Sequence, residues 1–359
     1  MGEGSCIAPS LCAFLITKGL FTMNYISFPG LGIEPFQLNK VAFSVFGRDV
    51  AWYGIIICTG IILAVLYSVF RAKTEKIKSD DIIDLAFFLV LFGIIGARLY
   101  YVIFEFDNYL VTGKGFLQNV LGTLKNAVAV WEGGLAIYGA IIAGFLTIVV
   151  YCKIKKIRLL KLVDVAAPAV MIGQIIGRWG NFVNIEAYGT ETTLPWRMGI
   201  LTNLGDHGFI GDFVHPTFLY ESLWNLLGFL LANLIYRKKK FDGQIFFFYM
   251  GWYGFGRMII EGLRTDSLMI GETLRVSQLV GAVTFIAGMV FTIIFACIAK
   301  KRRIAMIDGA VPAVTEDECD DDCNCEKCDN VDEDMEINDT DDTTVEEHVS
   351  EDTDNGEDN

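Results

Sequence analysis

The sequence predicts an all-α integral membrane protein with seven transmembrane helices, an outside N-terminus and a cytoplasmic C-terminus. The composition is the first reason, because 53% of the 359 residues are hydrophobic and only 20% are charged, below the quarter that is usual in soluble domains. The second reason is a set of seven long apolar stretches, and the third is the recurrence of basic residues at every second boundary between them. These observations exclude a uniform soluble domain.

Each of the seven stretches is long enough to cross a hydrocarbon core of about 30 Å, which takes roughly 20 helical residues. The first and the last contain no charged residue, whereas each of the other five contains one or two. In chain order the predicted spans lie at 50–70, 82–104, 129–151, 162–182, 216–236, 244–263 and 277–299.

Lys and Arg in short loops set the orientation of a membrane protein, because they are retained on the cytoplasmic side. Of the 29 basic residues, 17 follow the first, third, fifth and seventh spans. An odd number of spans then places the N-terminus outside. The basic groups are Arg71, Lys73, Lys76 and Lys78; Lys153, Lys155, Lys156, Arg158 and Lys161; residues 237–240; and residues 300–303.

The net charge of −14 is the sum of two parts of the chain that have opposite charge. Residues 307–359 hold 23 acidic residues and one Lys, which leaves 20 acidic and 28 basic residues in the rest. We predict an N-terminal extension at 1–27, a seven-helix transmembrane domain at 28–303 and a disordered acidic cytoplasmic tail at 304–359, since the tail has too little apolar surface to fold. A translation start at Met23 is the alternative for the extension. No partner is assigned to the tail.

Four cysteines of the tail have the spacing C-x3-C-x-C-x2-C, at Cys319, Cys323, Cys325 and Cys328. This spacing matches no standard zinc module. We expect free thiols and predict no metal site and no cofactor, with a thiophilic metal as the alternative.

The depth of the charged residues in the spans indicates a functional site. A charge in a membrane helix costs about 2.5–3.5 kcal/mol, so it usually marks a polar interior. Five spans place polar groups towards the outer leaflet, and we expect no equivalent set on the cytoplasmic side. Asp164, near the start of its span, is expected to be a helix-start residue that is stabilised by the N-terminal dipole of its own helix. The outer groups are Arg98; Glu132 and Tyr138; Arg178, Asn181, Asn184 and Glu186; His215 and Glu221; and Arg257, Glu261 and Arg264.

Three of these residues, Arg257, Glu261 and Arg264, share one helix face because they are spaced i, i+4 and i+7. Glu261 can pair with one Arg and leave the other for an external anion. Arg suits bidentate recognition of phosphate, so four Arg in an outer chamber predict a site for an anionic lipid head group. The alternative for any single residue is snorkelling or structural pairing. No P-loop, H-E-x-x-H or G-x-S-x-G motif is present, and we expect no nucleic-acid partner.

The segment Gly177–Gly189, GRWGNFVNIEAYG, resembles the signature of prolipoprotein diacylglyceryl transferases. Three further segments support the resemblance, which runs in order from about Met23 to Arg303 and leaves out the acidic tail. They are Trp131–Gly139, His215–Glu221, and Tyr253–Arg257 continuing to Arg264. The seven-span, N-outside topology of that family agrees with the predicted spans.

The resemblance implies an enzyme of the bacterial plasma membrane whose active site faces the outer leaflet. It implies transfer of the diacylglyceryl group of phosphatidylglycerol to the lipobox Cys thiol of prolipoproteins, with release of glycerol phosphate. The partners implied are therefore phosphatidylglycerol and prolipoprotein signal peptides. The alternative is a non-catalytic transporter or binder of anionic lipid, which would show a polar path to both faces or an internal repeat of its spans. The sequence shows neither.

With the resemblance, the site residues receive hypothetical roles. Arg178 and Arg257 bind the phosphate, Asn181 and Glu186 shape the polar chamber, and Tyr138 hydrogen-bonds a substrate. Many family members have His at the position of Tyr138, and a phenol is a poor general base at neutral pH, so either the base lies elsewhere or Tyr138 only orients substrate. The predicted catalytic residues are Arg178, Arg257, Tyr138 and Glu186, and the predicted lipid-binding residues are Arg178, Asn181, Arg257, Glu261, Arg264, Tyr53, His215 and Glu221.

Overall fold

The computed structural model describes residues 25–110, 115–129, 133–203, 208–265, 269–270 and 274–307. The chain divides into two units, Met1–Lys301 and Arg302–Asn359. The tail after Ile307 with its four cysteines, most of the predicted extension, and the motif residues Trp131 and Glu132 lie outside the described residues.

Most described residues are helical, and six helices are long and apolar enough to cross a membrane. The helices are α1 (Trp52–Ala72), α2 (Ser79–Phe104), α3 (Phe116–Val128), α4 (Ile137–Lys155), α5 (Leu159–Asn184), α6 (Thr217–Tyr236), α7 (Gln244–Ile260) and α8 (Val276–Ile307). The six are α1, α2, α4, α5, α6 and α8. Helix α7 coincides with the predicted span at 244–263 but has only 17 residues and is not among the six, so seven spans and their orientation stay predictions.

The prediction of an all-α chain is wrong, because eight strands of two to six residues lie between the helices in the described ranges. A search for apolar runs of about 20 residues misses strands of this length. The strands are β1 (Tyr25–Phe28), β2 (Ile33–Gln37), β3 (Val41–Val45), β4 (Arg48–Ala51), β5 (Met198–Asn203), β6 (Phe209–Val214), β7 (Met269–Ile270) and β8 (Leu274–Arg275). Strands β2, β1, β5 and β6 form, in this order, one antiparallel sheet, while β3–β4 and β7–β8 are separate antiparallel pairs.

The four-stranded sheet packs against the C-terminal end of α5 and the N-terminal end of α6. Strand β1 pairs with β5, and its Ile26 is fully buried. Ile26 belongs to a core with Met198, Val214 and Phe218, against which Phe182 of α5 is packed. The boundary predicted at residue 27 therefore falls inside a strand of this core.

The span predicted at 129–151 begins later as a helix, at Ile137. Gly133 and Gly134 precede it with φ values of +87° and +72°, a left-handed backbone that a right-handed helix does not contain. The amphipathic helix α3 on its N-terminal side was not predicted, because its mixed polar and apolar residues give no long apolar run.

Close helix packing on glycine fixes the position of α1 against α5. A Cβ added to Gly60 in α1 would lie 3.7 Å from the Cα of Gly173 in α5. Further along the same interface, a Cβ on Gly180 would lie 2.8 Å from the ring of Tyr53. Since that distance is too short, Gly180 is needed for the Tyr53 ring to lie against α5.

Helices α7 and α8 also pack backbone to backbone. A Cβ on Gly254 would lie 2.6 Å from the carbonyl oxygen of Gly281, and one on Gly288 would lie 2.5 Å from the amide nitrogen of Gly251. Small residues permit such close approach in membrane helices. The contact holds α7 in place, and the last turn of α7 carries Arg257.

Asp164 was predicted to be a helix-start residue stabilised by the dipole of its own helix, and this prediction is wrong. In the structure Asp164 caps the start of α7. It is fully buried in α5, where its carboxylate accepts hydrogen bonds from the amides of Gly243 at 2.7 Å, Ile245 at 3.0 Å and Phe246 at 2.9 Å. The side-chain amine of Lys239 lies 3.4 Å from the same carboxylate. A buried carboxylate satisfies the free N–H groups of a helix start wherever the fold brings them.

We expected no group of polar residues at the end of the spans opposite to the predicted site. That prediction is also wrong, because such a group lies near the start of α5 and the end of α6. Lys239 pairs with Glu75 at 2.7 Å and with Asp242 at 3.2 Å, besides Asp164. Tyr236 donates its hydroxyl to Glu75 at 2.7 Å. The hydrogen bond to Glu75 and the nearby carboxylates raise the pKa of Lys239, although burial itself acts to lower it. The network ties the end of α6 to α5 and to the start of α7.

Removal of the Asp164 carboxylate should destabilise the fold. We expect Asp164→Ala to lower the free energy of unfolding by about 3 kcal/mol, since it leaves three amides without their acceptor and removes one of the three carboxylates around Lys239. Thermal unfolding of the purified chain in detergent micelles measures the change. The control is Asp84→Ala, which removes a 55% exposed side chain 3.8 Å from Lys155 and should cost less than about 1 kcal/mol. Equal effects of the two variants would contradict the capping role.

Candidate functional site

Glu221 is the centre of a buried group of charges where α5, α6 and α7 meet. Its carboxylate lies 2.5 Å from Nη2 of Arg178 and 3.0 Å from Nη1 of Arg257, and Nη1 of Arg264 is 3.7 Å away. The residue is only 4% exposed, and a carboxylate buried to that degree requires positive partners. One side chain on α6 therefore holds three guanidinium groups from other segments.

A second glutamate completes this arginine cluster, which we define as Arg178, Arg257, Arg264, Glu221 and Glu261. Oε2 of Glu261 lies 2.7 Å from Nη2 of Arg257 in an ion pair that does not meet hydrogen-bond geometry. The sequence predicted that Glu261 pairs with one of two Arg, and the structure selects Arg257. Nη1 of Arg264 lies 3.7 Å from Oε1 of Glu221. Three positive and two negative charges leave one positive charge in excess.

Asn181 and Glu186 lie next to the cluster, as the predicted chamber requires. Arg178 donates to Asn181 Oδ1 at 3.3 Å, and the amides of Asn181 and Asn184 donate to Glu186 Oε1 at 2.8 Å and 3.3 Å. Helix α5 ends here because Ile185 adopts φ +55°. That turn brings Glu186 back over the helix end, where its amide donates to the carbonyl of Asn181 at 3.0 Å.

Tyr53 reaches the same place from the first turn of α1. Its ring lies against Gly180, and it interacts electrostatically with Glu186 and Arg178. An aromatic residue at the start of a span is often only an interfacial anchor. In this structure Tyr53 also lies close to Glu186 and Arg178, and its predicted contact with lipid stays a prediction.

His215 is joined to the cluster through the backbone of the segment after α5. Gly189 donates its amide to the carbonyl of His215 at 3.0 Å and forms a β-bridge with Arg264. A Cβ on Gly189 would lie 2.7 Å from the Cβ of His215 and 3.0 Å from the carbonyl oxygen of Leu263. Gly189 therefore lets the chain pass between these two segments.

Arg98 was expected to face the chamber with the other three Arg, but it serves the backbone. Its guanidinium donates to the carbonyls of Asn126 and Ala127 at 2.8 Å each, to Gly134 at 3.0 Å, and to Gly133. These bonds fasten the end of α3 and the turn before α4 to α2. A sequence pattern cannot distinguish an Arg that binds loop carbonyls from one that binds a ligand.

Tyr138, in the first turn of α4, makes no contact with the arginine cluster among the described residues. It is 37% exposed, and its ring lies 6.5 Å from that of Tyr100. The residue is therefore partly accessible to a bound molecule. The structure leaves the predicted role of Tyr138 as a hypothesis.

Two residues of the site were not predicted. Arg275 donates to the carbonyl of Glu261 and so adds a positive charge beside the cluster. Tyr220 contacts His215, with 3.2 Å between its hydroxyl oxygen and Nδ1. Tyr220 lies inside the segment His215–Glu221 that supported the family resemblance, which was the available signal, whereas nothing in the sequence marked Arg275.

The cluster suits an oxyanion. Beside the cluster, Arg275 adds one positive charge and Glu186 adds one negative charge, so one positive charge stays in excess. A phosphate monoanion matches that charge, and guanidinium groups bind phosphate through paired hydrogen bonds. Arg178 and Arg257 are 18% and 15% exposed, so their outer edges are open to a ligand. Within the described ranges, no three His, Cys, Asp or Glu side chains are grouped as they would be around a metal ion.

The model of the prolipoprotein diacylglyceryl transferase family matches residues 40–294. The chain belongs to this family. A phosphatidylglycerol–prolipoprotein diacylglyceryl transferase of Finegoldia magna is 48% identical over 257 residues, which cover 71% of this chain and 95% of the relative. Proteins of the same name from Listeria innocua and Streptococcus pyogenes are 44% and 42% identical, cover 72% and 74% of this chain, and are themselves covered to 90% and 96%.

The part of the chain that matches the prolipoprotein diacylglyceryl transferase family contains the whole arginine cluster. It begins before α1 and ends within α8. The acidic tail lies outside it. The residues that the structure groups at the ends of α5, α6 and α7 are therefore part of the family domain.

Neutralising Glu221 should destabilise the fold. We expect Glu221→Gln to lower the free energy of unfolding by about 3 kcal/mol, because three guanidinium groups lose their shared counter-charge. Thermal unfolding in detergent micelles measures this change in the free energy of unfolding. Glu34→Gln removes an exposed carboxylate on β2 and should stay within about 0.5 kcal/mol of the unmodified chain. A Glu221→Gln variant as stable as Glu34→Gln would show that the cluster does not depend on this carboxylate.

Proposed function

We propose that this chain transfers the diacylglyceryl group of phosphatidylglycerol to the thiol of the lipobox Cys of prolipoproteins. The observation that carries the proposal is the buried cluster of three Arg and two Glu with one positive charge in excess, which lies inside the family domain. Its place at the ends of apolar helices suits a substrate with a charged head group and lipid chains.

The reaction breaks one carbon–oxygen bond and forms one carbon–sulfur bond. The thiol loses its proton, the sulfur bonds to the glyceryl carbon that carried the phosphate, and glycerol phosphate leaves. Because a phosphodiester with one negative charge becomes a monoester with up to two, negative charge develops on the leaving oxygen. Positive groups fixed beside that oxygen stabilise the transition state more than the ground state.

Arg178 and Arg257 are the proposed phosphate ligands. Both are held in place by Glu221, so they need little reorganisation when the lipid enters. Arg264 and Glu261 complete the charge balance. Asn181 and Glu186 shape the chamber through the hydrogen bonds at 2.8 Å and 3.3 Å that fix the end of α5.

Tyr53, His215 and Tyr138 are proposed to contact the substrates around this centre. Tyr53 and His215 border the cluster from α1 and from the segment before α6. Tyr138 is 37% exposed at the start of α4, and we propose that its hydroxyl orients a substrate by a hydrogen bond. A phenol is not suited to accept the thiol proton.

The proposed setting is the bacterial plasma membrane, with seven spans and the active site towards the outer leaflet. The basic groups after every second span support this orientation. In that arrangement phosphatidylglycerol reaches the cluster from the bilayer, and the lipobox Cys of a membrane-inserted signal peptide reaches it at the same depth.

The structure does not favour the alternative of a transporter. The charges at the opposite end of α5 are paired with one another, and Asp164 is fully buried among amide donors. A transport path would require polar groups open to a cavity between the two ends.

Transfer should depend on Arg178. We expect the purified chain, supplied with phosphatidylglycerol and a lipobox peptide, to form diacylglyceryl-Cys and glycerol phosphate, and Arg178→Ala to lower the rate by about 10²–10³-fold through loss of phosphate stabilisation. The matched control is Arg158→Ala, at the other end of α5, which removes an ion pair with Asp242 at 3.4 Å and should leave the rate unchanged. Undiminished transfer by Arg178→Ala would show that Arg178 is not a ligand of the lipid phosphate.

A smaller loss should follow from removing the Tyr138 hydroxyl. Tyr138→Phe deletes one proposed hydrogen bond to substrate, so kcat/KM should fall about tenfold. Steady-state kinetics with the same peptide measure it, and Tyr100→Phe, which alters the neighbouring ring, should have no such effect. Full activity of Tyr138→Phe would end its proposed role.

A further inference from the structure

Trp196 and Tyr220 have no role in the function proposed above, yet they hold the ring of His215. The indole nitrogen of Trp196 donates to the hydroxyl oxygen of Tyr220 at 2.7 Å. The same oxygen lies 3.2 Å from Nδ1 of His215. A line of hydrogen-bonding atoms therefore runs from the indole to the imidazole.

The sheet and the start of α6 bring these three side chains together. Strands β5 and β6 pair Met198 with Val214. Trp196 stands two residues before that pair and His215 one residue after it, so the two lie at the same edge of the sheet. Tyr220 comes from the first turn of α6, which begins at Thr217.

The donors and acceptors of this line restrict where the protons can lie. An indole N–H can only donate, so Tyr220 accepts from Trp196. Tyr220 has one proton of its own, and among the described residues the remaining partner of its hydroxyl is Nδ1 of His215. If that proton is donated to Nδ1, the neutral imidazole must carry its own proton on Nε2.

We propose that Trp196 and Tyr220 are positioning residues that hold His215 in the tautomer with hydrogen on Nε2. His215 then offers the substrate a neutral hydrogen-bond donor, directed at an acceptor oxygen of the phospholipid, and it does not take up the thiol proton. The inference rests on the proposed function, since that function brings phospholipid oxygens to the segment that Gly189 joins to Arg264.

The tautomer can be measured without any assay of transfer. The chain has three His, so ¹⁵N-histidine labelling of the full chain in detergent micelles gives few NMR signals. In the double variant His207→Gln, His348→Gln, the remaining histidine signals come from His215. At pH 8 we expect the Nε2–H pattern, and Tyr220→Phe should abolish the preference. An Nδ1–H pattern, or a pattern unchanged in Tyr220→Phe, would overturn the proposal.

The donor role can be measured by two substitutions of His215. The amide nitrogen of Gln reaches the position of Nε2, whereas that of Asn reaches only Nδ1. We expect His215→Gln to keep a kcat/KM about tenfold above that of His215→Asn, the loss that removal of one hydrogen bond to a charged group produces. Equal losses in both variants would overturn the donor role.

Tyr220→Phe should lower kcat/KM as well, because the imidazole is no longer held in one tautomer. The matched control is Tyr67→Phe. The Tyr67 hydroxyl donates to Asn233 at 2.7 Å, and neither residue belongs to the arginine cluster. The kcat/KM of this variant should stay within about twofold of that of the unmodified chain. Absence of transfer in the unmodified chain would refute the proposed function, whereas the tautomer measurement would still decide the inference about His215.

Discussion

The position of the Glu221 carboxylate governs the arrangement of the site. A negative charge that is 4% exposed among apolar helices is unstable without positive partners, so the fold must bring guanidinium groups to it. Arg178 comes from the end of α5, Arg257 from the end of α7, and Arg264 from the segment that follows. The convergence of these helix ends is thus an electrostatic requirement as well as a result of packing.

Glycines make that convergence sterically possible. Gly180 admits the ring of Tyr53, Gly189 passes between His215 and Leu263, and Gly254 packs on the backbone of Gly281. At the other end of α5, Asp164 caps α7. Helices α5 and α7 are therefore joined by charge at both ends, which keeps Arg178 and Arg257 at a fixed separation for a ligand.

Sequence patterns predicted the helices well because about 20 apolar residues are a strong signal. They also predicted that Arg178, Glu221, Arg257, Glu261 and Arg264 belong together, because costly charges at one depth are rarely unrelated. They failed where the outcome depends on a distant contact. Arg98 binds loop carbonyls, and Asp164 caps a helix some 80 positions further along the chain, and neither residue carries that partner in its local sequence. The strands were missed because they are too short for a search for membrane spans.

The claim that the arginine cluster is the phosphate site is tested most directly by an experimental structure of the full chain in nanodiscs of phosphatidylglycerol. We expect lipid phosphate oxygens about 3 Å from the guanidinium groups of both Arg178 and Arg257, with Glu221 still paired to the cluster. A head group bound elsewhere, with Arg178 and Arg257 contacting only Glu221 and Glu261, would contradict it.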